Sequence, residues 1–328
     1  MKKSSTRGIS IQLTRRGLRV NLTPRGIERL RRDFARDNFI VLPRLIEPAL
    51  LRVIQHQIER ARFTQRVHRG FGRDLQLRTA PAGASLALLL NDRELFSILE
   101  RITGCGRVGS LIGSIRRATP GPGNSLGWHS DDLGHRKVAI TINLGHKPYR
   151  GGRLQIRRRK SGRIVAEASN TVAGNAIVFR IAPTLEHRNT AVEGDTPKTA
   201  FSGWLVGKPD FERTFRRTLA ARGKQAARNS PAPSHRIAFA PNAAVVLPAA
   251  VATHTVGADT VLLNFANGNY YGLDPVGAEI WHLISRGLSP RAASRAIARS
   301  YDAPAGQVER DILSLLAQLK REGLLDPA

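Results

Sequence analysis

The hydrophobic pattern of the chain changes its period after Gly104, and this change limits the folds that the chain can adopt. Before Gly104, apolar residues recur at helical spacing, as Leu95, Ile98 and Ile102 do. After it, apolar and polar residues alternate in short runs separated by Gly, Pro and Asn, most cleanly over residues 138–144. Alternation with a period of two is typical of strands that bury one face. Many short strands behind a helical segment predict an α+β fold, in which an antiparallel sandwich or jelly roll has helices packed outside it.

Local signals place the individual elements. Thr23 before Pro24 is typical of a helix N-cap, and Asn91 with Glu94 three residues later resembles a capping box. Helices are therefore predicted at residues 24–36, from residue 47 and after residue 91. Strands are predicted at residues 39–42, 110–117, 138–144, 154–156, 177–179 and 201–206.

Composition indicates a folded protein with a strong positive charge. Hydrophobic residues make up 41% of the chain and charged residues 23%, values that exclude wholesale disorder. With 328 residues the chain is long enough for two domains, each with its own core. The net charge of +27 favours acidic peptides, nucleic acid or anionic surfaces as partners, unless it only reflects a surface that is basic everywhere.

Changes in composition suggest the domain boundaries. A basic arm, residues 1–20, is expected to be largely unordered, and residues 21–207 form the first predicted domain. Residues 208–242 are rich first in Arg and Ala and then in Pro and Ser, which is typical of a basic linker. Residues 243–328 form the second predicted domain.

Cysteine usage and the absence of targeting signals favour the cytoplasm. The single cysteine, Cys105, cannot form an intrachain disulfide, which suits a reducing compartment. The first residues lack the apolar segment of a signal peptide, and the chain has no run of about 18 apolar residues. We therefore expect a cytoplasmic protein that does not span a membrane.

Two histidines and one aspartate are spaced as metal ligands. His129 and Asp131 lie two residues apart in an extended segment, so their side chains point to the same side. His187 would supply a second imidazole from a distant strand. Two imidazoles and one carboxylate on one face of a metal are typical of non-haem Fe(II) oxygenases, in which the other positions stay open. Lys198, eleven residues beyond His187, could hold an anionic co-substrate.

The residues of this region resemble one family. They read, in order, Pro120-Gly121, Trp128-His129-x-Asp131, Leu144, Gly151-Gly152-x-Leu154, Gly174, Phe179, His187, Lys198 and Trp204. This order resembles the 2-oxoglutarate/Fe(II)-dependent dioxygenases, in particular their prolyl 4-hydroxylase-like branch, over residues 25–207. The resemblance implies a double-stranded β-helix that uses Fe(II), 2-oxoglutarate and O2.

The same resemblance assigns roles to residues. It implies that His129, Asp131 and His187 are catalytic iron ligands. It also implies that Lys198 pairs with the distal carboxylate of 2-oxoglutarate. The separation of His187 and Lys198 is one residue longer than is usual in the family, so Arg180 on the preceding strand is the alternative co-substrate ligand.

The C-terminal segment has a different pattern, with short strands around Asn267-Gly268-Asn269 followed by three helices. It resembles the small PqqD-like proteins through residues 261–264, 268–274, 278–284 and 315–325. The resemblance implies a small winged-helix-like domain that captures the leader segment of a ribosomally made precursor peptide as an added strand. The peptide contacts are then expected on Tyr270, Tyr271, Val308, Asp311 and Ile312.

Together the two resemblances suggest an Fe(II)/2-oxoglutarate-dependent hydroxylase that acts on a residue of a precursor peptide held through its leader. Two alternatives stay open at this point. The +27 charge and the winged-helix-like tail are also compatible with an oxygenase associated with nucleic acid or the ribosome. The second alternative is an inactive barrel that serves only as a peptide-binding scaffold.

Overall fold

Seven antiparallel strands form the largest sheet of the molecule. In sheet order they are β3 (Phe39–Leu42), β11 (Ala176–Arg180), β7 (Arg136–Asn143), β14 (Lys198–Val206), β6 (Ser110–Ala118), β5 (Gly72–Leu77) and β4 (Phe63–His68). The structure is a computed structural model and describes residues 10–68, 72–78, 81–121, 123–218 and 239–327. The predicted strands from residue 39 to residue 206 are therefore confirmed, with ends that differ by a few residues.

A smaller sheet faces the large one. It consists of β10 (Ile164–Ala168), β9 (Leu154–Arg158) and β12 (Leu185–Asn189). Two short strands form a separate pair: β8 (Arg150–Gly151), which precedes β9 in the chain, and β13 (Val192–Glu193), which follows β12. Buried apolar residues from both sheets form one cluster, namely Ala139, Leu154, Ile156, Ala168, Ile177, Phe179 and Leu185. Two antiparallel sheets packed on a shared core form the predicted jelly roll.

Helices cover the opposite face of the large sheet. They are α1 (Pro24–Asp37), α2 (Pro48–Glu59), α3 (Pro81–Leu90) and α4 (Arg93–Thr103). The predicted cap of α1 is confirmed, because the Thr23 side chain accepts a hydrogen bond of 3.1 Å from the Gly26 amide. The buried face of α1 carries Ile27, Leu30 and Phe34. In consequence the strands of the large sheet have helices on one side and the jelly-roll interior on the other.

The prediction of a largely unordered basic arm is wrong for its second half. Residues 10–21 form a hairpin of β1 (Ser10–Thr14) and β2 (Gly17–Asn21). Ile11 and Leu13 are buried, and the Leu13 amide donates to the Leu45 carbonyl at 2.7 Å. Alternating apolar side chains thus anchor this basic hairpin to the core despite its charge. Residues 1–9 lie outside the described residues.

Two further corrections concern residues 63–103. The cap of α4 is Asp92, not Asn91, because the Asp92 carboxylate accepts from the Leu95 amide at 2.8 Å. Asn91 instead exchanges hydrogen bonds with the backbone of Leu111 in β6. The sequence also did not predict α3 or the β4–β5 hairpin, since that hairpin is mostly polar and its strands bury little.

The second unit begins at Glu212 and contains the predicted strands and helices. Its sheet has the order β16 (Val251–Val256), β17 (Asp259–Asn264) and β18 (Asn269–Leu273). The helices are α5 (Pro275–Ser285), α6 (Pro290–Tyr301) and α7 (Ala305–Arg321), and β15 (Val245–Val246) pairs with β19 (Asp326–Pro327). One apolar cluster that includes Trp281, Ile297 and Ile312 forms the core of this unit.

The two units meet in the chain between Phe211 and Glu212. The predicted linker, residues 208–242, falls around this boundary. Residues 211–218 are helical, whereas residues 219–238 of the predicted linker lie outside the described residues. Among the residues that the structure describes, no helix is both long and apolar enough to cross a bilayer.

Candidate functional site

The interior of the jelly roll opens into a cavity of about 870 Å³, a volume that includes its mouth. His129, Asp131, His187 and Lys198 all line this cavity. The fold therefore brings together four residues that are up to 69 positions apart in the sequence. A concave site with a few convergent polar groups is the usual form of a small-molecule binding site.

Three side chains in the cavity lie close enough together to hold one metal ion. One ligand atom from each of His129, Asp131 and His187 lies within 4.8 Å of the other two. The backbones of His129 and His187 form a reciprocal bridge, with N–O distances of 3.0 and 2.9 Å, and their ring centroids are 4.3 Å apart. This bridge fixes the two imidazoles next to each other.

The surroundings of His129 select the form of its ring that can bind a metal. Its Nδ1 atom lies 2.7 Å from the Gly127 carbonyl, so Nδ1 carries the proton and Nε2 presents its lone pair. Burial lowers the pKa of His129, and the nearby His187 lowers it further. A neutral imidazole is the form that metal ligation requires.

Asp131 is held in its ionised form by several donors. Trp204 Nε1 donates to Oδ2 at 2.7 Å, Arg136 Nη1 donates to Oδ1 at 3.0 Å, and His187 Nε2 lies 3.3 Å from Oδ2. Burial by itself would raise the pKa of Asp131, but the hydrogen bonds from His187 and Trp204 outweigh it, and the pKa falls to about 2. Arg136 also stacks 3.8 Å from the centroid of the Trp204 ring. These contacts both orient the Asp131 carboxylate and keep it ionised.

Lys198 places a cation deep in the same cavity. It is 9% exposed, and its Nζ donates to the Gly152 carbonyl at 2.7 Å and to Asn189 Oδ1 at 2.8 Å. Both acceptors are neutral, and burial lowers the pKa of Lys198 to about 8. A buried ammonium with neutral partners favours the binding of an anion beside it.

Strand β14 aligns Lys198 with the triad. Side chains of a strand alternate, so Lys198, Ala200, Ser202 and Trp204 share one face, and all four line the cavity. Ala200 and Ser202 are small and leave space between the ammonium and the indole. Gly152 lies beside the lysine side chain, and a Cβ on Gly152 would lie 3.0 Å from Lys198 Cδ. The Lys198 side chain can occupy this position because Gly152 has no side chain.

Comparison with known families identifies both units. A model described as the 2OG-Fe(II) oxygenase superfamily matches residues 114–206, and one described as coenzyme PQQ synthesis protein D (PqqD) matches residues 259–325. The chain joins a 2OG-Fe(II) oxygenase domain to a PqqD domain. No curated protein sequence matches it.

Solved structures resemble the two domains separately. A 2OG-Fe(II) oxygenase family oxidoreductase from Burkholderia pseudomallei is 16% identical over 58% of this chain and 94% of its own, with a TM-score of 0.44. A prolyl-4-hydroxylase from Pseudomonas putida is 16% identical over 56% of this chain and 99% of its own, with a TM-score of 0.43. TbiB1, solved with the TbiA(beta) leader peptide, is 34% identical over 25% of this chain and 94% of its own, with a TM-score of 0.24.

The match over residues 114–206 confirms the 2-oxoglutarate-dependent dioxygenase domain that the sequence predicted, and that family implies Fe(II), 2-oxoglutarate and O2. The residues present fit that requirement. His129 and His187 offer imidazole nitrogens, and the Asp131 carboxylate is ionised within 4.8 Å of them. This donor set suits Fe(II) and leaves part of the coordination sphere for other ligands.

The structure separates the two predicted candidates for co-substrate binding. Lys198 lies inside the cavity of the oxygenase domain. Arg180 instead lies against α1, with its guanidinium carbon 4.8 Å from the centroid of the Phe34 ring. Strand alternation explains the difference, because the preceding residue, Phe179, is the one on β11 that lines the cavity.

Sequence reasoning missed three charged residues near the triad. Arg136 contacts Asp131 directly, and Arg116 lines the cavity beside Asp74. The alternation of β6 was a signal for Arg116, since Ser114, Arg116 and Ala118 share a face with the inward residues of β14. Nothing in the sequence indicated Asp74, because it lies on the hairpin that was not predicted.

The PqqD domain offers a sheet edge, but two of its predicted contact residues are core residues. Strand β18 is an edge strand in the described part of this sheet. Ile312 is fully buried and Val308 is nearly so, and both belong to the apolar core of the domain. Their contact with a peptide stays a prediction, and in this structure α7 turns both side chains toward the core.

The remaining predicted contacts lie closer to the surface. Asp311 is exposed on α7, next to the buried Ile312. Tyr271 packs partly against the core and donates from its hydroxyl to Glu322 at 2.7 Å. Tyr270 lies on the opposite face of β18, with its ring centroid 5.0 Å from that of Phe215. Asp311 and the two tyrosines are thus the more accessible of the five predicted contacts.

Proposed function

We propose that this protein is an Fe(II)- and 2-oxoglutarate-dependent hydroxylase that acts on a residue of a ribosomally synthesised precursor peptide, recruited through its leader by the PqqD domain. The observation that carries the proposal is the combination, in one chain, of the His129, Asp131 and His187 cluster with a PqqD domain. The cluster supports oxidation, and the PqqD domain supports a peptide as the molecule that is oxidised.

Each residue of the cavity has a task in this proposal. His129, Asp131 and His187 hold Fe(II), which supplies the activation of O2 when it is bound. Lys198 binds the distal carboxylate of 2-oxoglutarate and orients the 2-oxo acid in the space beside Ala200 and Ser202. In the balanced reaction, one oxygen atom enters a C–H bond of the peptide and the other enters succinate, with release of CO2.

The PqqD domain binds the leader segment along the edge of β18. An extended peptide can add as a strand there, because β18 has a strand partner only on its β17 side in the described residues. Main-chain hydrogen bonds then supply affinity, while Asp311 and the tyrosines of β18 contact leader side chains. Leader binding raises the effective concentration of the remaining peptide at the oxygenase cavity.

Co-expression tests this function directly. The protein is produced with a short open reading frame that lies beside its gene, and the peptide is analysed by mass spectrometry. We expect a gain of one oxygen atom outside the leader segment. An unmodified peptide that nevertheless binds the protein would contradict the proposed reaction.

Asp131→Asn and Asp132→Asn form a matched pair for the metal site. The Asp131 carboxylate lies within reach of both imidazoles, whereas Asp132 is the exposed neighbour. We expect Asp131→Asn to lower Fe(II) affinity by about 100-fold or more and to stop succinate formation. Asp132→Asn should leave both unchanged. Equal Fe(II) affinities by titration in the two variants would remove Asp131 from the ligand set.

A further inference from the structure

The cavity contains charged groups that neither the metal site nor Lys198 uses. Arg116 and Asp74 both line it, and Arg116 Nη1 lies 3.2 Å from Asp74 Oδ2. The other oxygen of Asp74 lies 3.1 Å from His68 Nε2. The Arg116 and Asp74 side chains are 15% and 6% exposed, so this is a largely buried pair. Arg73 lines the cavity too and donates to Asn124 Oδ1 at 2.6 Å.

Arg116 faces the same space as the triad. In the β6–β14 register Arg116 is opposite Ala200, which lies on the cavity face between Lys198 and Trp204. The guanidinium carbon is 6.0 Å from the centroid of the Trp204 ring, and the indole N–H of Trp204 bonds Asp131. The guanidinium and the carboxylate of the metal-ligand cluster thus both lie next to the indole of Trp204.

The hydrogen bonds of Arg116 hold it in place. It donates through Nη1 to Asp74 and through Nε to Ser114 Oγ at 3.3 Å. These bonds use two of the five N–H donors of a guanidinium. A planar guanidinium fixed in this way is suited to bind a carboxylate through paired hydrogen bonds.

The charges of the cavity favour an anionic target. When Fe(II) and the 2-oxoglutarate dianion are both bound, their charges cancel. Arg116 and Lys198 line the cavity and Arg136 donates to Asp131 there, against two carboxylates, Asp74 and Asp131. Arg73 also lines the cavity, but it is exposed to solvent, which screens its charge. One positive charge is therefore left over in a partly desolvated space, where an unbalanced charge is costly. A negative charge on the bound target residue would balance it.

We propose that the residue hydroxylated by this enzyme carries a side-chain carboxylate, and that Arg116 binds that carboxylate. This proposal rests on the proposed function and names its substrate class as an aspartyl or glutamyl residue of the peptide. Asp74 is a positioning residue that holds the guanidinium. A C–H bond of the target becomes C–OH, with one oxygen atom of O2 entering the product and the other entering succinate as 2-oxoglutarate loses CO2.

Blocked tripeptides of the form acetyl-Ala-Xaa-Ala-amide provide the test, with Xaa as Asp, Asn, Glu, Gln or Pro. The full-length protein is supplied with Fe(II), 2-oxoglutarate and air, and the value of kcat/KM for gain of one oxygen atom is measured by mass spectrometry. We expect the Asp or the Glu peptide to exceed its amide isostere by about tenfold or more. The amide peptides have the same shape, so the ratio isolates the charge.

Substitution of Arg116 and Asp74 then shows whether Arg116 is responsible for the preference for a charged peptide. In Arg116→Gln the ratio of carboxylate to amide peptide should fall to about one. Because this variant leaves Asp74 buried without its partner, the double variant Arg116→Gln/Asp74→Asn removes both charges and should show the same loss of preference. The matched control is Arg101→Gln in the last turn of α4, where the side chain is exposed and does not line the cavity, and this variant should keep the preference of the wild type. If the role of Arg116 were purely structural, its loss would lower kcat/KM for all peptides by the same factor and leave the ratio of carboxylate to amide peptide unchanged.

Three results would overturn the proposal. The first is a kcat/KM for the amide or Pro peptide that equals or exceeds that for the carboxylate peptides. The second is that neither carboxylate peptide gains oxygen. The third is that both Arg116 variants keep the wild-type ratio of carboxylate to amide peptide. A protein that forms no succinate from 2-oxoglutarate under any condition would instead overturn the proposed function. The two failures are therefore distinguishable.

Discussion

Lys198 carries its charge in a place where burial opposes it, and this makes co-substrate binding sensitive to pH. Burial lowers the pKa of Lys198 to about 8, below that of an ordinary lysine. The protonated form binds a carboxylate, so the charge is present below pH 8 and is lost as the pH rises through that value. We expect the KM for 2-oxoglutarate to be constant below about pH 8 and to rise about tenfold per pH unit above it.

Lys198→Arg is the control for this prediction. A guanidinium keeps its proton throughout this pH range, so the KM of the variant for 2-oxoglutarate should not change between about pH 7 and about pH 9.5. The measurement is a series of steady-state KM values at fixed ionic strength. A wild-type KM that stays flat across the same range would mean that Lys198 does not supply the charge that binds the co-substrate.

At the scale of elements, the pairing of β6 with β14 brings Arg116 and Lys198 into one cavity, and two glycines allow it. Gly113 is directly opposite Gly203 in this pair. A Cβ on Gly113 would lie 2.6 Å from the Ser202 carbonyl oxygen and 2.5 Å from the Phe201 ring. The close approach of the two strands therefore requires residues without side chains at this crossing.

Gly113→Ala should loosen this strand pair, and Gly83→Ala is its matched control. We expect Gly113→Ala to lower the free energy of unfolding by about 1–3 kcal/mol, because a methyl group has no space between the strands. Gly83 is in α3, where a methyl group would have Leu77 Cδ2 as its nearest neighbour, at 3.9 Å. Gly83→Ala should be neutral or stabilise by up to about 1 kcal/mol. Urea midpoints that are the same in both variants would contradict this explanation.

At the scale of the whole molecule, the proposal depends on two domains that act on one peptide. Deletion of residues 236–328 removes the PqqD domain and should raise the KM for a full precursor peptide by about tenfold or more, because the leader no longer concentrates the substrate. The kcat/KM for a leaderless core peptide should stay the same in the full-length and shortened proteins. An excess of free leader peptide should inhibit only the full-length protein. Equal KM values of the two proteins for the full precursor would contradict leader recruitment.

Much of this architecture follows from local signals in the sequence. The period-two alternation of residues 138–144 predicts a strand, and Thr23 begins a helix as its capping preference predicts. The two-residue spacing of His129 and Asp131 places their side chains on one side by the same alternation. The family resemblance assigned roles to His187 and Lys198, and the structure places both in the same cavity.

Other features depend on contacts between distant parts of the chain, which the sequence does not display. The basic hairpin of residues 10–21 buries Ile11 and Leu13, and Leu13 exchanges backbone hydrogen bonds with residues 45 and 47, which are distant in the sequence. The helical spacing of Ile312 shows that it lies on the apolar face of α7. That spacing is the same whether the face packs against the core or binds a peptide, so the sequence alone could not distinguish these two roles.

By itself the sequence determined most strands of the jelly roll, three of its helices, the spacing of the candidate metal ligands and the division into two families, because these follow from the local period of side chains and from motifs. Only the tertiary structure decided that Lys198 lies in the cavity and Arg180 against α1, and that Asp74 meets Arg116. The physical reason is that the neighbours of a side chain, and with them its burial and its charge, are set by the pairing of strands remote in sequence. For Asp74, Arg116 and Lys198 that pairing joins β5, β6 and β14, and for Arg180 it joins β11 to β3 and β7.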